Sequence, residues 1–269
     1  MDLQIDHEVA VVIGGAKGIG RAIGEAFLRE HASVVLADID PIVAKTAHEV
    51  GDQADGTAAG VVLDATDFSA VQALAASVVS THGECHHLVF AAGTGSGKYG
   101  FPFWNLTPAD WEHVLRVNLI GAVIAAHAFA PQLVSQRRGT VLFLSSIAGQ
   151  IGSQTDPPYS AAKAGVINFA QCAAKDLAEY NVRVNTICPG MVKTDVNQAA
   201  WRAWHEQQPA GERMSYDQWA DSKIKRVAPL GRWQTVADIA ELAVFLASPR
   251  AHNITGQTLN VDGGQVMHS

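Results

Sequence analysis

The strongest constraint on the fold is one junction near the start of the 269-residue chain. The apolar run Val9-Ala10-Val11-Val12-Ile13 stops at Gly14-Gly15-Ala16-Lys17-Gly18-Ile19-Gly20, and an amphipathic stretch with Ile23, Ala26 and Phe27 on one side follows directly. A short apolar run closed by glycines predicts a buried strand, and the helical recurrence after it predicts a helix. Glycines at such a turn let the backbone approach a ligand, while free N–H groups and the positive end of the helix dipole face one point. Strand, turn and helix together predict a site for a pyrophosphate.

The alternation continues down the chain. Residues 33–37, 61–64, 88–93, 141–144, 182–187 and 256–264 read as further strands, with helical patterns at 68–81, from 107 onward, and at 236–247. Strands alternating with helices across short loops imply a parallel sheet covered on both faces. The expected fold is a Rossmann-type doubly wound α/β sheet of about seven strands, forming one domain over 1–269. With 48% hydrophobic residues the chain can bury a core of that size.

Composition excludes several other classes. A formal net charge of −7 offers no footprint for a phosphate backbone, so nucleic acid is not an expected partner. The first residues lack a basic region followed by an apolar core, and the longest apolar stretch, 119–131, contains His127 and is too short to cross a bilayer. A cytoplasmic, soluble protein is expected. Cys85, Cys172 and Cys188 show no C-x-x-C spacing and are expected to be reduced thiols, two of them buried. The run His82-Gly83-Glu84-Cys85-His86-His87 has no ligand spacing suited to a metal and reads as a solvated loop, so no metal site is expected.

Chemistry is concentrated between Ser146 and Lys163. Tyr159 and Lys163 are four residues apart, so on a helix they share one face. A nearby ammonium favours phenolate and brings a phenol toward the working range of a proton-transfer group. The strand at 141–144 ends at Ser145-Ser146, and alternate residues there point to opposite sides, which selects one hydroxyl to hold a reacting oxygen.

The glycine spacing, Tyr159-Ser160-Ala161-Ala162-Lys163 and a serine thirteen residues before the tyrosine resemble the short-chain dehydrogenase/reductase family, and the likeness runs from Val9 to Gly264. It selects Ser146 over Ser145 and implies hydride transfer between a nicotinamide dinucleotide and a carbinol carbon. Ser146 would hold the oxygen, Tyr159 exchange its proton, and Lys163 lower the tyrosine pKa while binding the nicotinamide ribose. Asn118, at a local break in its helix, would hold a water in a proton relay. The cofactor positions implied are Gly14, Lys17, Gly18, Ile19 and Gly20 at the turn, and Asp38 with Ile39 at the second strand end. Asp64 with Ala65 would lie near the adenine, Ala91, Ala92 and Gly93 follow the fourth strand, and Pro189, Gly190, Val192 and Thr194 would hold the carboxamide. Asp38 repels a 2′-phosphate and favours NAD, whereas a basic residue at the position of Lys17 is frequent in members that prefer NADP.

Three departures are visible. Ile13 replaces a threonine, and Phe90 and Ala91 replace two asparagines that brace the central strand. Gly95-Ser96-Gly97-Lys98-Tyr99-Gly100 satisfies G-x-G-x-x-G, but Phe101-Pro102-Phe103 follows it, so it reads as a flexible loop at the substrate mouth. The stretch 195–227, with Trp201, Trp204 and Trp219, reads as a lid. The small residues Ala161, Ala164 and Gly165 leave a helix face suited to close packing, and by resemblance the protein is a homotetramer. The expected activity is an NAD-dependent polyol, sugar or hydroxyketone dehydrogenase. An NADPH-dependent 3-oxoacyl-thioester reductase and a non-catalytic dinucleotide-binding protein are the alternatives.

Overall fold

The computed structural model describes residues 2–54, 56–193 and 195–267. Seven parallel strands form one sheet: β1 (Val9–Ile13), β2 (Ser33–Asp38), β3 (Ala58–Val62), β4 (His87–Phe90), β5 (Gly139–Leu144), β6 (Val182–Pro189) and β7 (Thr258–Val261), in the order β3-β2-β1-β4-β5-β6-β7. The third strand lies earlier than its sequence pattern suggests. Gly60 pairs with Leu36 and presses on the Ala44 backbone, so the strand passes where a side chain would not fit, and Leu63 and Asp64 fall beyond its end.

The connecting helices are α1 (Gly18–Arg29), α2 (Val43–Ala54), α3 (Phe68–His82), α4 (Pro108–Leu115), α5 (Gly121–Gln136), α6 (Pro157–Leu177) and α9 (Val236–Ala247), with α7 (Asp195–Glu206) and α8 (Tyr216–Val227) ahead of the last. Alternation within β1 builds both faces of the sheet. Ala10 and Val12 join Phe27, Val43, Val50 and Ile239 beneath α1, α2 and α9, whereas Val9, Val11 and Ile13 join Val71, Phe129 and Val166 beneath α3, α5 and α6.

Two expectations are corrected. The apolar stretch at 119–131 belongs to a continuous helical run, Pro108–Gln136, which by length and composition alone is long and apolar enough to cross a membrane. Its inner side, including Ala122, Ala125, Phe129 and Leu133, is buried in the second of those cores. The segment 82–87 is solvated only in its first half: Gly83 and Glu84 are exposed, whereas Cys85, His86 and His87 are buried at 0, 9 and 2% exposure. His86 Nδ1 accepts a 3.0 Å bond from Val9 N. His87 contacts Glu8 Oε2 at 2.5 Å through Nε2 and Thr140 Oγ1 at 2.8 Å through Nδ1, and stacks on Phe27. Arg138 pairs with the same Glu8 carboxylate. Burial disfavours the imidazolium form of His87, leaving a neutral ring that donates to Glu8 and accepts from Thr140. Among the described residues no group of three or more His, Cys, Asp or Glu side chains is placed to hold a metal ion.

Candidate active site

The chain leaves β1 for β2 and β3 on one side, then returns to β4 and fills the other, so a crevice opens at the strand ends between β1 and β4. Gly14 begins the turn with φ +91°, and a methyl group there would lie 2.4 Å from Ala92 N. One added to Gly20 would lie 2.0 Å from Gly14 O and 3.3 Å from Ala91 Cβ. Small residues at 14, 20, 91 and 92 thus let the turn, the start of α1 and the end of β4 close on each other. The amide end of α1 remains at the crevice, a backbone cradle suited to a dinucleotide pyrophosphate.

Asp38 ties two turns together at the edge of this crevice. Its Oδ2 accepts from Ala16 N at 3.0 Å, and its Oδ1 accepts from Asp40 N at 3.0 Å. Each carboxylate oxygen retains acceptor capacity beyond these bonds. Lys17, at the head of α1, places Nζ 2.7 Å from Asp40 Oδ2, and this hydrogen bond is the largest influence holding the Asp40 carboxyl below its usual range. Ile39 beside it is 67% exposed, as an apolar surface flanking a ring would be. Asp64 is exposed and closes its own turn by accepting from the Thr66 amide and hydroxyl, both at 2.8 Å, while Ala65 is buried in the core.

The residues expected to transfer protons converge across the crevice. At the end of β5, Ser145 and Ser146 diverge as strand alternation requires. Ser145 Oγ donates to the Lys163 carbonyl at 2.8 Å, whereas Ser146 Oγ accepts from Ala148 N at 3.1 Å and acts on the Tyr159 phenol in favour of its ionised form. Lys163 Nζ lies 5.5 Å from the Tyr159 ring centroid, on the same side of α6, and donates to Leu144 O at 2.7 Å. Asn118 sits in a π-helical turn, Arg116–Ile120, between α4 and α5. The wide turn lets its Nδ2 donate to Val114 O at 2.8 Å and Thr94 O at 2.7 Å, leaving Oδ1 buried without a donor. A methyl at Gly93 would touch both this oxygen, at 2.8 Å, and Lys163 Nζ, at 3.4 Å, so the two atoms border one small space.

The expected lowering of the tyrosine is absent in this structure. Burial, reinforced by Asp156 and Cys188, pushes the phenol up to about 12 against the opposing influence of Ser146, and burial pushes Lys163 down to about 8. The ammonium is turned to the Leu144 carbonyl, and desolvation outweighs its effect on the ring.

On the nicotinamide side, Pro189 ends β6, and Gly190 donates to Val261 O at 2.9 Å. A methyl at Gly190 would meet the Asp262 backbone at 2.7 Å, so this glycine is needed for the approach of β7's end. Val192 is buried and bridges to Gln234, and Thr194 lies outside the described residues. Phe90, in place of an amide, is fully buried, and a methyl at Gly121 would sit 3.1 Å from its ring. Packing against α5 braces the strand where a hydrogen bond would otherwise serve.

Neighbours of the site show contacts that local sequence could not. The thiol of Cys188 is buried beside Lys163, Ser145 and Gln150 and pushed up to about 11, as a small core residue rather than a nucleophile. Gln150 and Asn260 exchange amide bonds of 2.7 and 3.0 Å across 110 residues. The loop 94–100 is fastened rather than loose: Thr94 O meets Asn118, Ser96 N meets Asp156, Lys98 meets Asp110, and Gly100 N meets Thr155 O. None of these partners is near it in the chain.

A doubly wound sheet with a glycine cradle facing a serine, a tyrosine and a lysine defines an oxidoreductase that acts on CH–OH groups. The chain belongs to the short-chain dehydrogenase/reductase family, and the family model described as enoyl-(acyl carrier protein) reductase matches residues 14–266. It is 33% identical to galactitol 2-dehydrogenase of Agrobacterium fabrum, covering 98% of this chain and 100% of that one. It is 29% identical to the 3-oxoacyl-(acyl-carrier-protein) reductase of Thermotoga maritima, over 98% and 100% of the two chains. The crystal structure of L-sorbose reductase from Gluconobacter frateurii, complexed with NADPH and L-sorbose, superposes with a TM-score of 0.90 at 27% identity, covering 100% of both chains. Members of the family bind a nicotinamide dinucleotide, and the cradle and buried Asn118 Oδ1 seen here fit one.

Proposed function

We propose that the protein oxidises a secondary alcohol of a polyol, sugar or hydroxyketone, with NAD as its cofactor. The observation that carries the cofactor preference is the pairing of Lys17 with Asp40 beside Asp38. The cation that would attract a 2′-phosphate is already matched by one carboxylate, and a second faces the ribose position. NAD bound in the cradle supplies the hydride acceptor. The alcohol oxygen is held by Ser146, and its proton passes to the Tyr159 oxygen as the phenol gives up its own proton to the relay through Lys163. Lys163, close to its own titration point near neutral pH, passes a proton on toward a water held by Asn118 Oδ1. Gly18, Ile19 and Gly20 hold the pyrophosphate at the head of α1, and Ile39 with Asp64 flanks the adenine. The residues 195–227 act as a lid, supported by the interlocking of Trp201, Trp204, Tyr216 and Trp219 between α7 and α8.

The likeness to a 3-oxoacyl reductase favours a second reading, reduction of an acyl thioester with NADPH. The ratio of kcat/KM for NAD over NADP with a panel of secondary alcohols separates the two. A ratio above one is expected, and a clear preference for NADPH with turnover of a 3-oxoacyl thioester would replace the first reading with the second. We also propose a homotetramer, supported by an apolar groove of about 650 Å³ where Phe101, Phe103, Trp104 and Ile151 flank Ala161 and Ala164 of α6. Sedimentation equilibrium is expected to return four chains, and a monomer would refute the assignment.

A further inference from the structure

Asp156 is the residue immediately before α6, three positions ahead of Tyr159, and none of the roles above uses its carboxylate. Oδ2 accepts a 2.7 Å bond from Ser96 N on the loop 94–100, and a methyl at Gly95 would come within 2.8 Å of the same oxygen. A second donor, the Tyr159 amide, acts on the carboxylate without meeting it squarely, for Oδ1 is buried and makes no hydrogen bond of ordinary geometry. Among the described residues Asp156 enters no salt bridge. Burial raises its carboxyl above the usual range, an effect that Ser96 and the Tyr159 amide partly offset, and no cation matches it one helical turn from the phenol proposed to exchange the proton.

An anion in that place disfavours phenolate, the reverse of the effect of an ammonium. We propose that Asp156 is a positioning residue with two effects: it fastens the mouth loop at Ser96 to the turn bearing Tyr159, and it places a negative charge one helical turn from the phenol. The second effect rests on Tyr159 being the proton-transfer group. The groups acting on that phenol come from three elements: Lys163 and Asp156 from α6 and its first turn, Ser146 from the end of β5, and the Cys188 thiol from β6. Of these, Asp156 and Cys188 raise it and Ser146 lowers it, and a buried thiol pushed up to about 11 is uncharged until strongly alkaline pH. Asp156 is thus the one carboxylate in the set, and its charge is in place before the thiol or the phenol ionises.

The two effects are separable by substitution. Asp156→Asn keeps an oxygen for the Ser96 N–H and removes the charge, whereas Asp156→Ala removes both. Tyrosinate absorbance after a stopped-flow pH jump, read before unfolding and with the Tyr159→Phe signal subtracted, isolates this phenol whether or not any substrate turns over. Both variants are expected to move its midpoint down by about half a pH unit or more. With an alcohol substrate, only Asp156→Ala is expected to raise substrate KM several-fold, while KM for NAD stays unchanged in both. An unmoved midpoint in Asp156→Asn overturns the charge effect, and equal substrate KM values for Asn and Ala overturn the tether. Failure to oxidise every alcohol tried would count against the proposed substrate class and would leave the absorbance measurement to decide the charge effect alone.

Discussion

Lys163 is 3% exposed and held at about 8, against 10.5 for a free side chain. Between those two values the unfolded chain keeps a proton that the folded chain has released, so stability rises with pH across the window and is lost as pH falls through it. Urea unfolding of the cofactor-free protein is expected to show wild type gaining on the order of 2–3 kcal/mol over Lys163→Met between pH 8 and 10.5. Parallel curves would show that the lysine is solvated. Tyr159→Phe is expected to cut turnover by about 10³-fold or more while NADH binding, followed by fluorescence, changes less than about twofold. Asp40→Ala should release Lys17 toward a 2′-phosphate. A rise of about tenfold in kcat/KM for NADP, with little change for NAD, is the expected result, and no rise would show that the ion pair is incidental. The residues of these tests were legible in sequence for different reasons. Tyr159 and Lys163 are visible because helical spacing puts them on one face and the glycine turn and Ser146 accompany them. Lys17 and Asp38 were visible as opposing signals, but the pairing that reconciles them depends on Asp40, whose contact with α1 only the folded turn creates.

Elements whose partners are distant in sequence were the hardest to read. The run 82–87 looked solvated because three histidines and a glutamate lie within it, yet His87 is satisfied by Glu8 and Thr140, 79 and 53 residues away. A local pattern cannot show that a polar residue is buried when its hydrogen-bond partners come from other strands. Glu8 holds both His87 and Arg138, so Glu8→Ala leaves a buried imidazole without its acceptor. A loss of about 2–4 kcal/mol in denaturant unfolding is expected, with KM for NAD and substrate unchanged because the cluster lies at the opposite strand ends from the crevice. The pair α7 and α8 presents the converse case. Its tryptophans suggested substrate contact, but Trp219 is buried and stacks with Tyr216 at 6.2 Å, so part of the aromatic surface serves the pair's own packing. Trp219→Ala is expected to raise substrate KM while leaving the dissociation constant for NAD within about twofold. Equal effects on both ligands would refute a lid.

For the molecule as a whole, strand and helix order was readable because most strands are apolar runs closed by glycine, serine or an acid. The sheet order follows from the same units once crossovers keep one hand. Strand boundaries were less readable, as with β3, where a glycine fixed by the Ala44 backbone lies in the middle of the strand and weakens its apolar signal. The crevice at the centre of the sheet is a consequence of topology, while its charge pattern comes from turns that no periodicity describes. Asp38 shows what that means for anyone redesigning the enzyme. Since its two oxygens already tie the glycine turn to the turn after β2, exchanging it for a neutral or basic residue to admit a different dinucleotide would also slacken the floor on which either cofactor rests. On the proposed reading, selectivity and rigidity share one side chain, and a redesign that spares it and works through its neighbour at position 40 keeps the two apart.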